Sequence, residues 1–421
     1  MEQKFAIFGG RPLRGEIEIR GAKNAATPIL AACLLTSEPC VVDNLPLIED
    51  VFRMLEILQS LGVEVEWLDK RRVRIRAKEV APEKIDQEKV CQMRSSILIL
   101  GALLARCRNF KIAPPGGCII GSRPVETHFA GLAELGAEAR QQDGHYFVTR
   151  KKMPPAKSRK IILQEFSVTA TENILMAAAL MPGMTQLRIA AAEPHVQDLV
   201  RFLNKMGAKI KGGGTHELEV RGVKKLKGTR HFLIPDPIEA GTFIVAAAAT
   251  RGKVAIKNVI AGHLDLALGK LKEMGVNFEL TKNGVTVSPT TRFCAAKIQT
   301  LPYPGIPTDL QAPLAVLCTQ AEGRSLIHDP MYEGRFKYLN ELVKMGADAT
   351  VLDPHRAVIS GPTPLYGKEI TSFDLRAGAT LIIAALVADG QSQISEIYQV
   401  DRGYEKIEER LAKIGADIKR I

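Results

Sequence analysis

The chain has 421 residues, with 57 Lys and Arg against 46 Asp and Glu, a net charge of +11, and 46% hydrophobic but only 5% aromatic residues. That balance excludes a disordered, collagen-like or disulfide-stapled protein. The length exceeds the roughly 250–300 residues that one core organises, so two domains are expected.

Taken in chain order, the first helix starts in Gly21-Ala22-Lys23-Asn24, and an amphipathic segment then ends at Leu61-Gly62-Val63, where a strand follows. The same phrase returns as Leu135-Gly136-Ala137, Met206-Gly207-Ala208, Met274-Gly275-Val276, Met345-Gly346-Ala347 and Ile414-Gly415-Ala416. Each reads as a helix closed by a left-handed glycine with a strand directly after it. The six glycines stand 68 to 74 residues apart. A second phrase, an alanine-rich helix ending in Gly, interleaves at Gly183, Gly252, Gly323 and Gly390. The sequence is therefore six units of about 70 residues, each with two helices and several strands. One helix of a unit is amphipathic, as in Tyr404 to Ile414. The other is apolar on most sides, as in Thr242 to Ala249, and must be buried behind strands and amphipathic helices. The fold class is α/β.

The buried helices start in Gly21-Ala-Lys-Asn, Met93-Arg-Ser-Ser, Ser167-Val-Thr, Asp236-Pro-Ile-Glu, Thr308-Asp-Leu-Gln and Asp374-Leu-Arg. Asn, Ser, Thr and Asp are ordinary caps there. Lys23, Arg94 and Arg376 are not, because a cation at the positive end of a helix is unfavourable unless an anion is shared. Free N–H groups, a positive dipole end and a basic side chain make a phosphate site. If the repeats point these helices the same way, their starts converge on one cleft.

Between the second and third buried helices runs Pro114-Pro-Gly-Gly-Cys-Ile-Ile-Gly-Ser-Arg-Pro-Val-Glu-Thr-His128. Cys33 and Cys318 lie in apolar stretches and read as small hydrophobes. Cys118 stands in a glycine-rich turn, with Arg123 near enough in sequence to favour its thiolate. A papain-type pair is disfavoured, since His128 follows no such pattern. From Arg150 to Arg230 the chain carries 16 Lys and Arg against 6 acidic residues. Such a block suits nucleic acid or a polyanionic small molecule, or is simply a solvated surface; its sparse aromatic residues lower the single-strand reading.

Seven cysteines without a Cys-x-x-Cys pair, and a start from Met1 to Gly10 with no leader pattern, point to free thiols in a reducing cytoplasm. No apolar run approaches the roughly 18 residues of a membrane span. Eight histidines show no ligand spacing, so no metal is expected.

Gly21-Ala-Lys-Asn-Ala-Ala, Met93-Arg-Ser-Ser, Pro115-Gly-Gly-Cys-Ile-Ile-Gly-Ser-Arg-Pro-Val, Pro307-Thr-Asp-Leu-Gln-Ala and Asp401-Arg-Gly-Tyr-Glu together resemble the UDP-N-acetylglucosamine 1-carboxyvinyltransferase family of enolpyruvyl transferases, from about residue 5 to residue 420. The resemblance implies two similar domains, each an inside-out α/β barrel of three units, with the active site in the cleft between them. Residues 1–22 with 235–421 would form one domain and 23–234 the other. It implies transfer of the enolpyruvyl group of phosphoenolpyruvate to the 3-hydroxyl of UDP-GlcNAc with loss of phosphate, and no cofactor. The partners would be these two small molecules, with no nucleic acid and no membrane.

Carried over residue by residue, Cys118 would be the general acid, able to form a covalent adduct with phosphoenolpyruvate, and Asp309 the general base. Lys23, Asn24, Arg123 and Arg402, with Arg335 and Arg376, would hold phosphoenolpyruvate. Asn24, Arg94, Arg123, Pro124, Val125, Glu126, Thr127, Ser167, Val168, Asp309 and the backbone at Met331 would bind UDP-GlcNAc. Guanidinium forks suit the carboxylate and phosphate oxygens of these substrates. Glu165 and Thr169 depart from the family, where Lys and Gly are common, as do Pro237 and Glu49; these departures touch nucleotide contacts rather than the reaction. Two alternatives stand beside this reading. The sister enzyme acting on shikimate 3-phosphate lacks the loop cysteine. A six-unit DNA clamp would have no use for Asp309 and Cys118.

Overall fold

The computed structural model describes residues 3–116, 124–151 and 158–421. Cys118 and Arg123 lie outside the described residues. Packing divides the chain into two compact units, one of residues 3–20 with 235–421 and the other of described residues within 21–234.

Within the second of these, three sheets surround apolar helices. The first sheet orders its strands Arg230–Phe232, Cys40–Asp43, Arg72–Arg76, Glu64–Asp69. Its outermost strand, Arg230–Phe232, is the unit's last segment and pairs parallel with Cys40–Asp43, so the end of the unit closes on its beginning. The other two sheets are Asn109–Ile112, His145–Arg150, Ala137–Gln142, and Lys209–Lys211, Glu217–Arg221, Met184–Arg188, Ser158–Ile162. The Lys23–Ala32, Ile99–Arg106 and Val168–Ala179 helices are buried along most of their length in its core, while Glu49–Ser60 and Pro194–Lys205 turn one face to solvent.

The other unit repeats the plan with the Pro237–Ala249, Thr308–Thr319 and Leu375–Val387 helices, which pack against one another. The chain's N-terminal segment completes two of its sheets. Phe5–Phe8 sits between Gln391–Ser395 and Asp417–Arg420, and Arg14–Glu18 runs parallel to Lys253–Lys257.

The six repeat glycines have positive φ, from 85° at Gly62 to 110° at Gly346. A side chain there would meet its own backbone, so glycine lets a helix turn into a strand within one residue. Two details differ from the sequence expectation. Arg94–Leu98 is a tight 3-10 segment, and the regular helix begins only at Ile99. The amphipathic helix expected from Tyr404 begins at Ile407, because Tyr404 is fully buried and the chain turns through a left-handed Lys406. Among the described residues no helix is long and apolar enough to cross a membrane.

Candidate active site

Three of the six buried helices are capped as their sequences lead one to expect. Ser167 accepts from Ala170 N–H at 3.4 Å, Asp236 from Ile238 and Glu239 N–H at 2.8 and 3.1 Å, and Asp374 from Arg376 and Ala377 N–H at 2.8 and 3.0 Å. Pro237 takes the first helical position, where its missing N–H costs nothing. The helices that begin at Lys23 and Thr308 have no side-chain cap. These are the two whose starts carry the expected phosphoenolpyruvate lysine and the expected base.

Asp309 stands in the first turn of the Thr308–Thr319 helix between two arginines. Arg335 Nη2 donates to Oδ1 at 2.6 Å and Arg376 Nε to Oδ2 at 3.0 Å. The arginine side chains keep only 7% and 4% of their exposure and the carboxylate keeps 22%, so the carboxylate is the most open member of the trio. Burial on its own raises the Asp309 pKa, but Arg376 and Arg335 outweigh it and hold the carboxyl well below the usual carboxylate range. Arg376 is in turn held over the ring of Tyr404, 5.2 Å from its centroid, and the Tyr404 hydroxyl lies 2.8 Å from Thr242 Oγ1. A buried ion pair of this kind contributes little net stability, so its value lies in where it puts the charges.

The Asp401-Arg402-Gly403-Tyr404 phrase resolves into separate jobs. Asp401 is clamped by Arg420, whose Nη1 and Nη2 donate to its two oxygens at 2.9 and 2.7 Å. A β-carbon at Gly403 would come within 2.5 Å of the Leu375 side chain. Tyr404 supports Arg376. Arg402, 8% exposed, donates to Gln399 Oε1 at 3.1 Å. Met331, four residues before Arg335, gives its N–H to Asp329 Oδ1 at 3.0 Å.

In the unit of residues 21–234, Lys23 Nζ lies 2.8 Å from Asp50 Oδ2, whose side chain is 2% exposed. Asn24 follows on the same helix start, partly buried. Arg94 Nη2 reaches the Pro124 carbonyl at 3.5 Å, which brings together two of the residues expected to bind UDP-GlcNAc. Val125 precedes the Glu126–Ala133 helix, with Glu126 exposed and Thr127 buried. The departures are absorbed here. Thr127 Oγ1 donates to Glu165 Oε1 at 3.0 Å, and Thr169 Oγ1 lies 3.0 Å from His128 Nε2. Both link the Glu126–Ala133 helix to the segment carrying Ser167 and Val168. Some cations of the basic block are paired with acids, Lys151 with Glu138, Arg188 with Glu217, Lys225 with Glu38 and Arg230 with Asp43.

Sequence reasoning missed Asp50, Gln399, Thr242 and Arg420. Asp50 reads locally as an acid favoured in the first turn of its helix, and nothing in the sequence links it to Lys23.

The profile of EPSP synthase (3-phosphoshikimate 1-carboxyvinyltransferase) matches residues 7–411. A UDP-N-acetylglucosamine 1-carboxyvinyltransferase 1 of Caldanaerobacter subterraneus is 44% identical over 420 residues, covering all of both chains. The chain belongs to this family of enolpyruvyl transferases. A second member, the UDP-N-acetylglucosamine 1-carboxyvinyltransferase of Koribacter versatilis, is also 44% identical, over 99% of this chain and 96% of its own. The crystal structure of the enolpyruvyl transferase NikO from Streptomyces tendae superposes with a TM-score of 0.90 at 26% identity, covering 100% of this chain and 99% of that one. EPSP synthase from Acinetobacter baumannii gives 0.74 at 20% identity over the whole of both chains and shares the fold. The family's mixed α/β fold is thus the fold of this chain.

Proposed function

We propose that the protein transfers the enolpyruvyl group of phosphoenolpyruvate to the 3-hydroxyl of UDP-N-acetylglucosamine by addition and elimination, releasing phosphate, as the first committed step of peptidoglycan synthesis. The observation that carries the reading is the Asp309 carboxylate held between Arg335 and Arg376 at an uncapped helix start. Full-length 44% identity to carboxyvinyltransferases of that name supports it.

In this reading Asp309 takes the proton from the sugar hydroxyl as its oxygen adds to C2 of phosphoenolpyruvate. Cys118 gives a proton to the methylene carbon, making a methyl group. Loss of phosphate from C2 and of one proton from that methyl then forms the enol ether. The centre at C2 passes through a cationic state, which nearby anions stabilise. A base and an acid so placed contribute roughly 10²–10⁴-fold each.

The arginines explain how one carboxylate serves both as anchor and as base. With both guanidinium groups on it, Asp309 is ionised but a weak base. The carboxylate and phosphate of phosphoenolpyruvate compete for the same guanidiniums, and each one drawn away returns basicity to Asp309. Lys23, Asn24, Arg123 and Arg402 hold the same substrate. Arg94, Pro124 to Thr127, Ser167, Val168 and the backbone at Met331 hold UDP-GlcNAc. We further assign to each unit the inside-out barrel of three repeats, with domains of residues 1–22 with 235–421 and 23–234, and place the enzyme in the cytoplasm.

The test is phosphate release from phosphoenolpyruvate with UDP-GlcNAc, run beside shikimate 3-phosphate. Release with the nucleotide sugar alone is expected; release only with shikimate 3-phosphate, or with neither, overturns the reading.

A further inference from the structure

Asp329 is fully buried, yet it is absent from every role assigned above. It follows directly on the Ala321–His328 strand, and its N–H and carbonyl both meet one residue. The Asp329 N–H donates to the His355 carbonyl at 2.8 Å, and the Asp329 carbonyl lies 2.8 Å from His355 Nδ1. His355 is itself held, its N–H donating to Asp353 Oδ1 at 2.8 Å. The side chain therefore projects from a rigid corner.

Its two oxygens are spent on two different segments. Oδ2 accepts from Thr308 Oγ1 at 2.5 Å, and Oδ1 accepts from Met331 N–H at 3.0 Å. Thr308 is the residue before Asp309, and the backbone at Met331 is assigned to the nucleotide sugar in the function proposed above. Pro307, which precedes the helix, offers no side-chain cap, so Asp329 supplies from another strand the anion that the positive end of this helix favours. One carboxylate thus ties the start of the helix that carries Asp309 to the backbone at Met331.

We propose that Asp329 is a positioning residue, holding Asp309 and the Met331 backbone in register for the nucleotide sugar through Thr308 and the Met331 N–H. This rests on the function proposed above. Its chemistry demands such a brace, since the hydroxyl must approach C2 while Asp309 still reaches its proton, and a displacement of about 1 Å can cost roughly a hundredfold in rate.

The experiment is steady-state kinetics of phosphate release in the full-length enzyme, with thermal unfolding of each variant alongside. Asp329→Ala and Thr308→Val are expected to lower kcat by about tenfold to a hundredfold. Both are also expected to raise KM for UDP-GlcNAc, leaving KM for phosphoenolpyruvate within about twofold. Thr308→Ser keeps the hydroxyl and is expected to restore kcat. Thr308→Val combined with Asp329→Asn is expected to be no worse than the more harmful single change, because both break one connection. Thr308→Val is nearly isosteric and carries the test if Asp329→Ala does not fold. A folded Thr308→Val enzyme with unmoved kcat overturns the proposal. So does an equal rise of both KM values, or a Thr308→Ser enzyme no better than Thr308→Val. Absence of phosphate release by the unsubstituted protein overturns the underlying reading, and this proposal with it.

Discussion

Arg420 closes two nitrogens on Asp401, the residue before Arg402, at 2.9 and 2.7 Å, and gives its Nε to Glu408 at 2.7 Å. Its guanidinium also lies 5.0 Å from the Phe5 ring centroid. The strands at both ends of the chain thereby hold the turn that presents Arg402. Arg420→Met is expected to raise KM for phosphoenolpyruvate about tenfold with KM for UDP-GlcNAc nearly unchanged, because only the Arg402 turn is loosened. Arg420→Lys cannot form the bidentate clamp and is expected to recover little. Substrate KM values measured separately check this; a parallel rise in both would assign Arg420 a general structural role instead.

In the proposed reaction Asp309 accepts the sugar proton, so Asp309→Asn is expected to bind both substrates but to lose roughly 10²–10⁴-fold in kcat. The arginines set the pH behaviour. Arg376 and Arg335 depress the Asp309 pKa against burial, so the carboxylate is ionised throughout the neutral range and protonates only as pH falls below the ordinary value near 3.9. Arg376→Met removes one of those charges and leaves burial in force. The acidic limb of its kcat/KM profile is expected to move to higher pH, and an unmoved limb would show that Arg376 does not tune Asp309.

Glu172 lies in the core of the Val168–Ala179 helix, 1% exposed, with Oε1 lacking a hydrogen-bond partner among the described residues. Burial, and then the Glu193 charge, push its pKa well above the ordinary value. The folded state therefore keeps a proton that the unfolded chain releases above about pH 4.3. Stability contributed by this group is full below that pH and falls as pH rises toward the folded value. Glu172→Gln is expected to unfold at about the same temperature as the native protein at pH 4. At pH 8 it should unfold a few degrees higher, since about 1 kcal/mol corresponds to roughly 2–4 °C in domains of this size. Calorimetry at the two pH values checks the sign; equal differences at both would refute the linkage.

Cys118→Ser is expected to abolish or greatly weaken turnover and to remove sensitivity to thiol-alkylating phosphonate epoxides such as fosfomycin. Cys33 is the control. It is buried, its thiol donates to the Ile29 carbonyl at 3.3 Å, and hydrogen bonding to Cys40 and burial push its pKa well up. Cys33→Ala should leave both activity and inhibition in place, as assayed by phosphate release with and without the epoxide.

The repeat of about 70 residues, the six helix-closing glycines and the apolar helices were legible in the sequence because each is a local rule. Gly62 and its five counterparts do adopt the left-handed backbone that their phrase requires. The candidate residues Lys23, Arg94 and Arg376 were legible for a different reason, since a cation at a helix start is locally unfavourable, whereas Asp309 and Arg402 were legible only through the phrases that carry the family resemblance. Even there, local reasoning misjudged the chain at Tyr404, where burial under Arg376 outweighed an amphipathic pattern and delayed the helix to Ile407.

Only the tertiary structure decided who holds whom. Asp309 meets Arg376 across 67 positions, Arg420 meets Asp401 across 19, and Asp329 ties Thr308 to Met331. No periodicity or spacing encodes such pairs, since they depend on which helix starts and strand ends the folded repeats bring side by side. The sequence by itself determined the elements, the family and the chemical types at the site. The packing within each unit determined the charges those types face, with Asp309 between Arg335 and Arg376 and Asp329 between Thr308 and Met331.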